Sequence, residues 1–161
     1  MCATRRTKGG ATPGLWRRSD AAVASPPVQH VLLATDADEV FNEVDAALAS
    51  AEVSVLRVRT GREVRPVVSE IDPELVLLDL QIGSMGGMAT CMDLRLEEGA
   101  GRIEPQNVLM LLDRDADIFL AERSSADGWL LKPLDAGRLQ RAANALIAGG
   151  SYTESPRVSA V

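Results

Sequence analysis

Two aspartates and one lysine are the residues whose types and places could do chemistry together. Asp36 follows the apolar run His30-Val-Leu-Leu-Ala-Thr35. Asp79 follows Leu75-Val-Leu-Leu78. Lys132 follows Gly128-Trp-Leu-Leu131 and directly precedes Pro133. Paired carboxylates offer hard oxygen ligands for Mg2+. A carboxylate oxygen can also attack phosphorus, and a lysine beside it would neutralise the phosphoryl charge. The lysine carries compositional weight, because the chain has 15 Arg and two Lys, and the other is Lys8. A point-charge ammonium is not interchangeable with a guanidinium fork. Each residue also has a plain reading. Asp36 could cap a helix, Asp79 could end a strand in a turn, and Lys132 could be a surface lysine.

A frame must bring these positions to one edge. The run at 30–35 is of strand type. Val40, Phe41, Val44, Ala47 and Leu48 within Asp38–Ser50 have helical spacing. Val53, Val55 and Val58 read as a second strand, and Glu63–Ile71 as a weak helix interrupted by Pro66. Leu75–Leu78 and Val108–Leu112 are continuous apolar runs of the kind buried parallel strands show. Helices are predicted at Met88–Glu98, Ala116–Ser124 and after Asp135, which is a good N-cap; a fifth strand is predicted at Gly128–Leu131. Strands alternating with helices indicate an α/β fold with a doubly wound, five-stranded parallel sheet. In such sheets the ligand site lies beyond the carboxyl ends of the strands. Thr35, Asp36, Asp79, Leu112, Asp113 and Lys132 all stand there.

Composition excludes several classes. The chain has 161 residues, 46% hydrophobic, which suits one domain with a sizeable core. Cys2 and Cys91 are its only cysteines and His30 its only histidine, so a zinc site or disulfide framework is excluded, and a reducing cytoplasm is expected. The net charge is −6, with five basic residues and one acidic in residues 1–28, leaving −10 for the remainder. An acidic domain is a poor partner for DNA, so no direct DNA binding is expected. No apolar run is long enough to span a membrane, and no apolar core follows the amino-terminal charges, so no secretory signal is read. Residues 1–28 read as a flexible basic tail, with a basic arm touching an acidic partner or nucleic acid as the sharper alternative. Residues 29–149 read as the folded domain and 150–161 as a carboxyl-terminal tail.

Two segments together resemble the receiver domain of bacterial two-component response regulators. Leu77-Leu-Asp79-Leu-Gln-Ile-Gly-Ser-Met-Gly-Gly87 is similar to the phosphoacceptor strand and its loop. Asp127-Gly-Trp129-Leu-Leu-Lys132-Pro133-Leu is similar to the lysine motif, whose proline is typically preceded by a cis peptide. The resemblance covers about residues 29–149. It implies a flavodoxin-like (βα)5 fold with strand order 2-1-3-4-5. It implies Asp79 as phosphoacceptor, Mg2+ held by Asp36, Asp79 and the backbone carbonyl of Gln81, Lys132 in contact with the phosphoryl group, and Trp129 at the switch aromatic's position, where simple core packing is the alternative. The implied partners are a histidine kinase or phosphotransfer protein and a downstream protein on the fourth helix, fifth strand and fifth helix. No output domain follows residue 149, so the expectation is a single-domain regulator, not an enzyme, signalling by protein contact.

Three departures qualify the resemblance. Thr35 stands where the family has a second acidic residue, which predicts weaker Mg2+ binding. Leu112 stands where the family has Ser or Thr; losing a hydrogen bond worth ~1.5–3 kcal/mol weakens a switch roughly 10- to 150-fold. Gly83 stands where Pro is frequent, which loosens the loop and removes no chemical group. Leu112 supports an alternative, a degenerate receiver that binds partners without phosphorylation. Asp36-Ala-Asp38-Glu-Val40 also resembles the nucleophile motif of haloacid-dehalogenase-type phosphatases, a remote alternative because those enzymes need a hydroxyl where Leu112 stands. Asp113 reads as a turn residue, or as a charge near the site that would repel a phosphoryl group.

Overall fold

The computed structural model describes residues 28–157. The basic tail read at 1–28 lies outside them but for its last residue. Five strands form a parallel sheet: β1 (Gln29–Ala34), β2 (Val53–Val58), β3 (Leu75–Asp79), β4 (Val108–Leu112) and β5 (Gly128–Leu131). Their order is β2-β1-β3-β4-β5, as the resemblance implies. Five helices alternate with them: α1 (Asp38–Leu48), α2 (Val64–Ile71), α3 (Gly87–Gly99), α4 (Ile118–Arg123) and α5 (Ala136–Ile147). Short 3-10 turns at Gly61–Glu63 and Asp115–Asp117 lead into α2 and α4.

The period-2 alternation of the strands builds two cores. Leu32, Val76, Leu78, Met110, Leu112 and Leu131 pack with Val68 of α2, Leu94 of α3 and Ile118 of α4. Val31, Leu33, Leu77, Leu109, Leu111 and Leu130 face the other way, onto Val44 of α1 and Leu139, Ala143 and Leu146 of α5. All of β3 and β4 is buried, which is why those strands read as unbroken apolar runs.

Two local readings are corrected. Pro66 does not interrupt the second helix, because α2 starts at Val64 and Pro66 lies in its first turn, where a missing N–H goes unmissed. The tail read from residue 150 is not free over 150–157. Tyr152 bridges Gly128 in parallel, and its carbonyl accepts the Trp129 N–H at 2.9 Å. Asp135 caps α5 as expected, its Oδ1 accepting the Arg138 N–H at 2.9 Å.

Candidate functional site

Sheet register assembles the site. Ala34 pairs with Leu78, so Thr35 and Asp79 follow side by side at the carboxyl edge. Asp79 pairs with Leu111 on its other side, and Leu112 pairs with Leu131, one residue before Lys132. The lysine therefore reaches across the end of β4. Its Nζ donates to Asp79 Oδ1 at 2.9 Å and lies 3.2 Å from Asp113 Oδ1. Lys132–Pro133 is a cis peptide.

Asp79 is 2% exposed, and protein donors meet both its oxygens. The Thr35 hydroxyl donates to Oδ2 at 2.8 Å, and the Gln81 N–H approaches Oδ1 at 3.3 Å. A buried carboxylate left without such partners would cost several kcal/mol, on the order of the desolvation of a polar group. Burial alone pulls the Lys132 ammonium down, but hydrogen bonds and charge from Asp79 and then Asp113 outweigh it and hold it above the ordinary lysine range. Lys132 therefore presents a fixed cation to the Asp79 carboxylate.

Asp36 is exposed and does not cap α1. Thr35 serves that turn, its Oγ1 accepting the Ala37 N–H at 3.2 Å. Asp36 instead reaches the loop after β3, where its Oδ2 accepts the Gly83 N–H at 3.2 Å. Gly83 thus supplies an N–H that a proline could not. Gly87 is also required. A Cβ there would lie 2.6 Å from the Asp79 carbonyl oxygen, so α3 could not start against the strand end.

The donors suited to a hard cation are the carboxylates of Asp36 and Asp79 and the carbonyl of Gln81. Among the described residues, no donor takes the Gln81 carbonyl, and Asp36 Oδ1 accepts no hydrogen bond. This all-oxygen set fits Mg2+, which is commonly held by one or two carboxylates with water and phosphate completing the shell. It is a lean set, because among the described residues no three acidic, His or Cys side chains converge.

Leu112 is fully buried in the core with Ile118 and Leu131, so no hydroxyl faces the site from β4. Its carbonyl accepts the Lys132 N–H at 2.8 Å. Trp129 is half-buried and packs against that core, while its Nε1 donates to the Glu154 carbonyl at 2.8 Å. Sequence reasoning did not find Arg57. Its Nε donates to the Thr35 carbonyl at 3.0 Å, its Nη1 to Asp38 at 2.7 Å, and its guanidinium lies 5.1 Å from the Phe41 ring centre. Hydrogen bonds from Arg57 and Arg59 hold the Asp38 carboxyl below its ordinary range. Arg57 thus fixes the backbone that aims Thr35 at Asp79. No local pattern announces it, since the contact joins two strands.

The model of the response regulator receiver domain family matches residues 31–144. The nitrate/nitrite response regulator NarL of Escherichia coli K12 is 28% identical over 120 residues, covering 74% of this chain and 52% of that protein. The DNA-binding response regulator MtrA of Mycobacterium tuberculosis H37Rv is 33% identical over 97 residues, covering 55% of this chain and 41% of that protein. The matched region thus spans about half the length of these relatives or less. Among solved structures, the chemotaxis response regulator CheY4 of Vibrio cholerae aligns with a TM-score of 0.65 at 20% identity, over 74% of this chain and 98% of that one. A signal receiver domain of a histidine kinase from Syntrophus aciditrophicus aligns with a TM-score of 0.66 at 23% identity, over 83% of this chain and 100% of that one. Both structures share the fold.

Proposed function

The chain belongs to the response regulator receiver family of two-component signalling, and from that premise we propose that Asp79 accepts a phosphoryl group and that the domain signals through protein contact. One observation carries the reading. A buried carboxylate at the carboxyl edge of the sheet is held by the only lysine among the described residues, at 2.9 Å.

The proposed chemistry is a displacement at phosphorus. An Asp79 carboxylate oxygen forms a new bond to phosphorus. The bond from phosphorus to the donor's leaving group breaks, and that group departs with the electron pair. Lys132 meets the charge of the resulting acyl phosphate, and Thr35 and the Gln81 N–H fix the carboxylate plane before a donor arrives. Mg2+, held by Asp36, Asp79 and the Gln81 carbonyl, would supply charge neutralisation for the phosphoryl oxygens. Arg57 and Phe41 keep the Thr35 backbone in place. The implied donor is a histidine kinase or a phosphotransfer protein. Incubation with acetyl phosphate and Mg2+, followed by borohydride reduction and peptide mapping, tests the site. Homoserine at position 79 is the expected product, and unreduced aspartate there contradicts it.

Leu112 favours a second reading, a receiver that docks partners without phosphorylation. Buried in the apolar core, it offers a phosphoryl group no hydroxyl. That reading expects partner binding indifferent to Mg2+ and to Asp79→Asn.

A further inference from the structure

β5 is an edge strand, and an edge strand's outward N–H and C=O groups need partners. Residues 152–157 and Arg138 supply them. The Trp129 N–H is taken by the Tyr152 carbonyl, and the Leu131 N–H by Glu154 Oε2 at 2.8 Å. The Leu131 carbonyl is taken by Arg138 Nη2 at 2.9 Å. Glu154 also receives Arg138 Nε at 2.8 Å and pairs with its Nη2. The Glu154 carboxylate therefore sits in a receptor made of one backbone N–H and one guanidinium, a bidentate arrangement selective for a planar anion. Gly128 completes the seat, since a Cβ there would run into the Tyr152 carbonyl.

The hold is slight. Only Tyr152 and Glu154 turn inward between exposed Ser151, Thr153 and Ser155. One isolated bridge joins the segment to the sheet. It leaves α5 through Gly149 and Gly150, with Gly149 at φ 85°. Such a segment owes much of its occupancy to its tether, which raises its local concentration without adding contacts.

We propose that the β5 edge is a recognition groove for an extended acidic segment of a partner protein, and that residues 152–154 occupy it in cis as a tethered competitor. The partner segment would pair its backbone with Trp129 and place a carboxylate two residues later against Leu131 N–H and Arg138. This specifies the chemistry of the partner. It rests on the reading that the domain works through protein contact, and it needs no phosphorylation of Asp79. Arg157 ties the same segment to the loop after β4, its N–H donating to Asp115 Oδ2 at 2.8 Å.

The probe is a fluorescent peptide of residues 150–157, Gly-Ser-Tyr-Thr-Glu-Ser-Pro-Arg, added to the full chain without phosphodonor. The chain carries Trp16→Phe so that Trp129 reports alone. Glu154→Ala should release the cis segment and shift Trp129 emission to the red. Its affinity for the peptide, read by anisotropy, should be at least about tenfold above that of the unsubstituted chain. Gly128→Ala should release the segment yet bind no peptide, because the same Cβ blocks both. Equal peptide binding by the Glu154→Ala and unsubstituted chains, or peptide binding by the Gly128→Ala chain, overturns the proposal. Should Glu154→Ala fail to fold, hydrogen exchange on the unsubstituted chain decides. The Trp129 and Leu131 amides should exchange faster than Leu130 and be slowed by excess peptide; equal protection of all three overturns it. Asp79 labelling is measured separately, so failure here leaves the phosphoacceptor reading standing, and the reverse holds too.

Discussion

Thr35 donates its hydroxyl proton to Asp79 Oδ2 at 2.8 Å, while Lys132 holds Oδ1 at 2.9 Å. The position where the family carries a second acid thus holds a donor instead. It exchanges one negative charge beside Asp36 for a firmer grip on the Asp79 carboxylate. Thr35→Val should cost about 1.5–3 kcal/mol, because the bond it removes serves a buried charge. Thermal unfolding measures that loss. Thr35→Asp should restore cation affinity, and the rise in Tm on adding Mg2+ should be larger than in the unsubstituted chain. An equal rise would show that Thr35 does not limit the site.

Lys132 joins Asp79 and Asp113, so its removal leaves the buried Asp79 carboxylate without its cation. With the lysine itself 20% exposed, Lys132→Met should destabilise by about 1–3 kcal/mol, less than a fully buried pair would. Asp113→Asn should cost under about 1 kcal/mol, since the Asp113 side chain is 38% exposed. Urea titrations of both variants check the order.

Much of this site was legible because it rests on strand ends. Unbroken apolar runs stopping at Asp79 and before Lys132 place both residues on one edge, whatever the helices do. Pro66 was misread because a proline's cost depends on whether it falls in a first turn, and boundaries are the weakest part of any pattern. The segment at 152–157 was missed for a different reason. It turns in two side chains, and its anchor, Arg138, is distant in sequence. The grip of Thr35 and the support of Arg57 are likewise contacts between strands.

Leu112 is fully buried, so restoring the family's hydroxyl there has a structural cost. Leu112→Thr should lose about 2–4 kcal/mol through the missing apolar volume and the added polar atom. If the domain switches on phosphorylation, the variant should also keep its acyl phosphate in a more closed loop, seen as slower exchange of the Asp113–Asp115 amides after phosphorylation. An unchanged Tm would mean that the core around Ile118 refills the space.

Cys91 gives a pH dependence with a defined sign. Burial pushes its thiol above the ordinary range, and its S–H donates to the Ser124 carbonyl, a bond open only to the protonated form. The folded chain keeps the proton, whereas the unfolded chain releases it above about pH 8.5. The unfolded state therefore gains as pH rises. Stability should be fully present below that value and decline as pH climbs toward the folded pKa. A Cys91→Ala chain, compared by urea titration between pH 7 and 10, should show a shallower decline. Parallel curves would contradict the assignment.

The central claim is that Asp79 is a working phosphoacceptor. Intact mass after incubation with acetyl phosphate and Mg2+, for the unsubstituted chain and Asp79→Asn, tests it most directly. The account predicts a gain of one phosphoryl mass in the unsubstituted chain alone, lost when a chelator removes Mg2+. No gain from a folded chain, or an equal gain in Asp79→Asn, would contradict it.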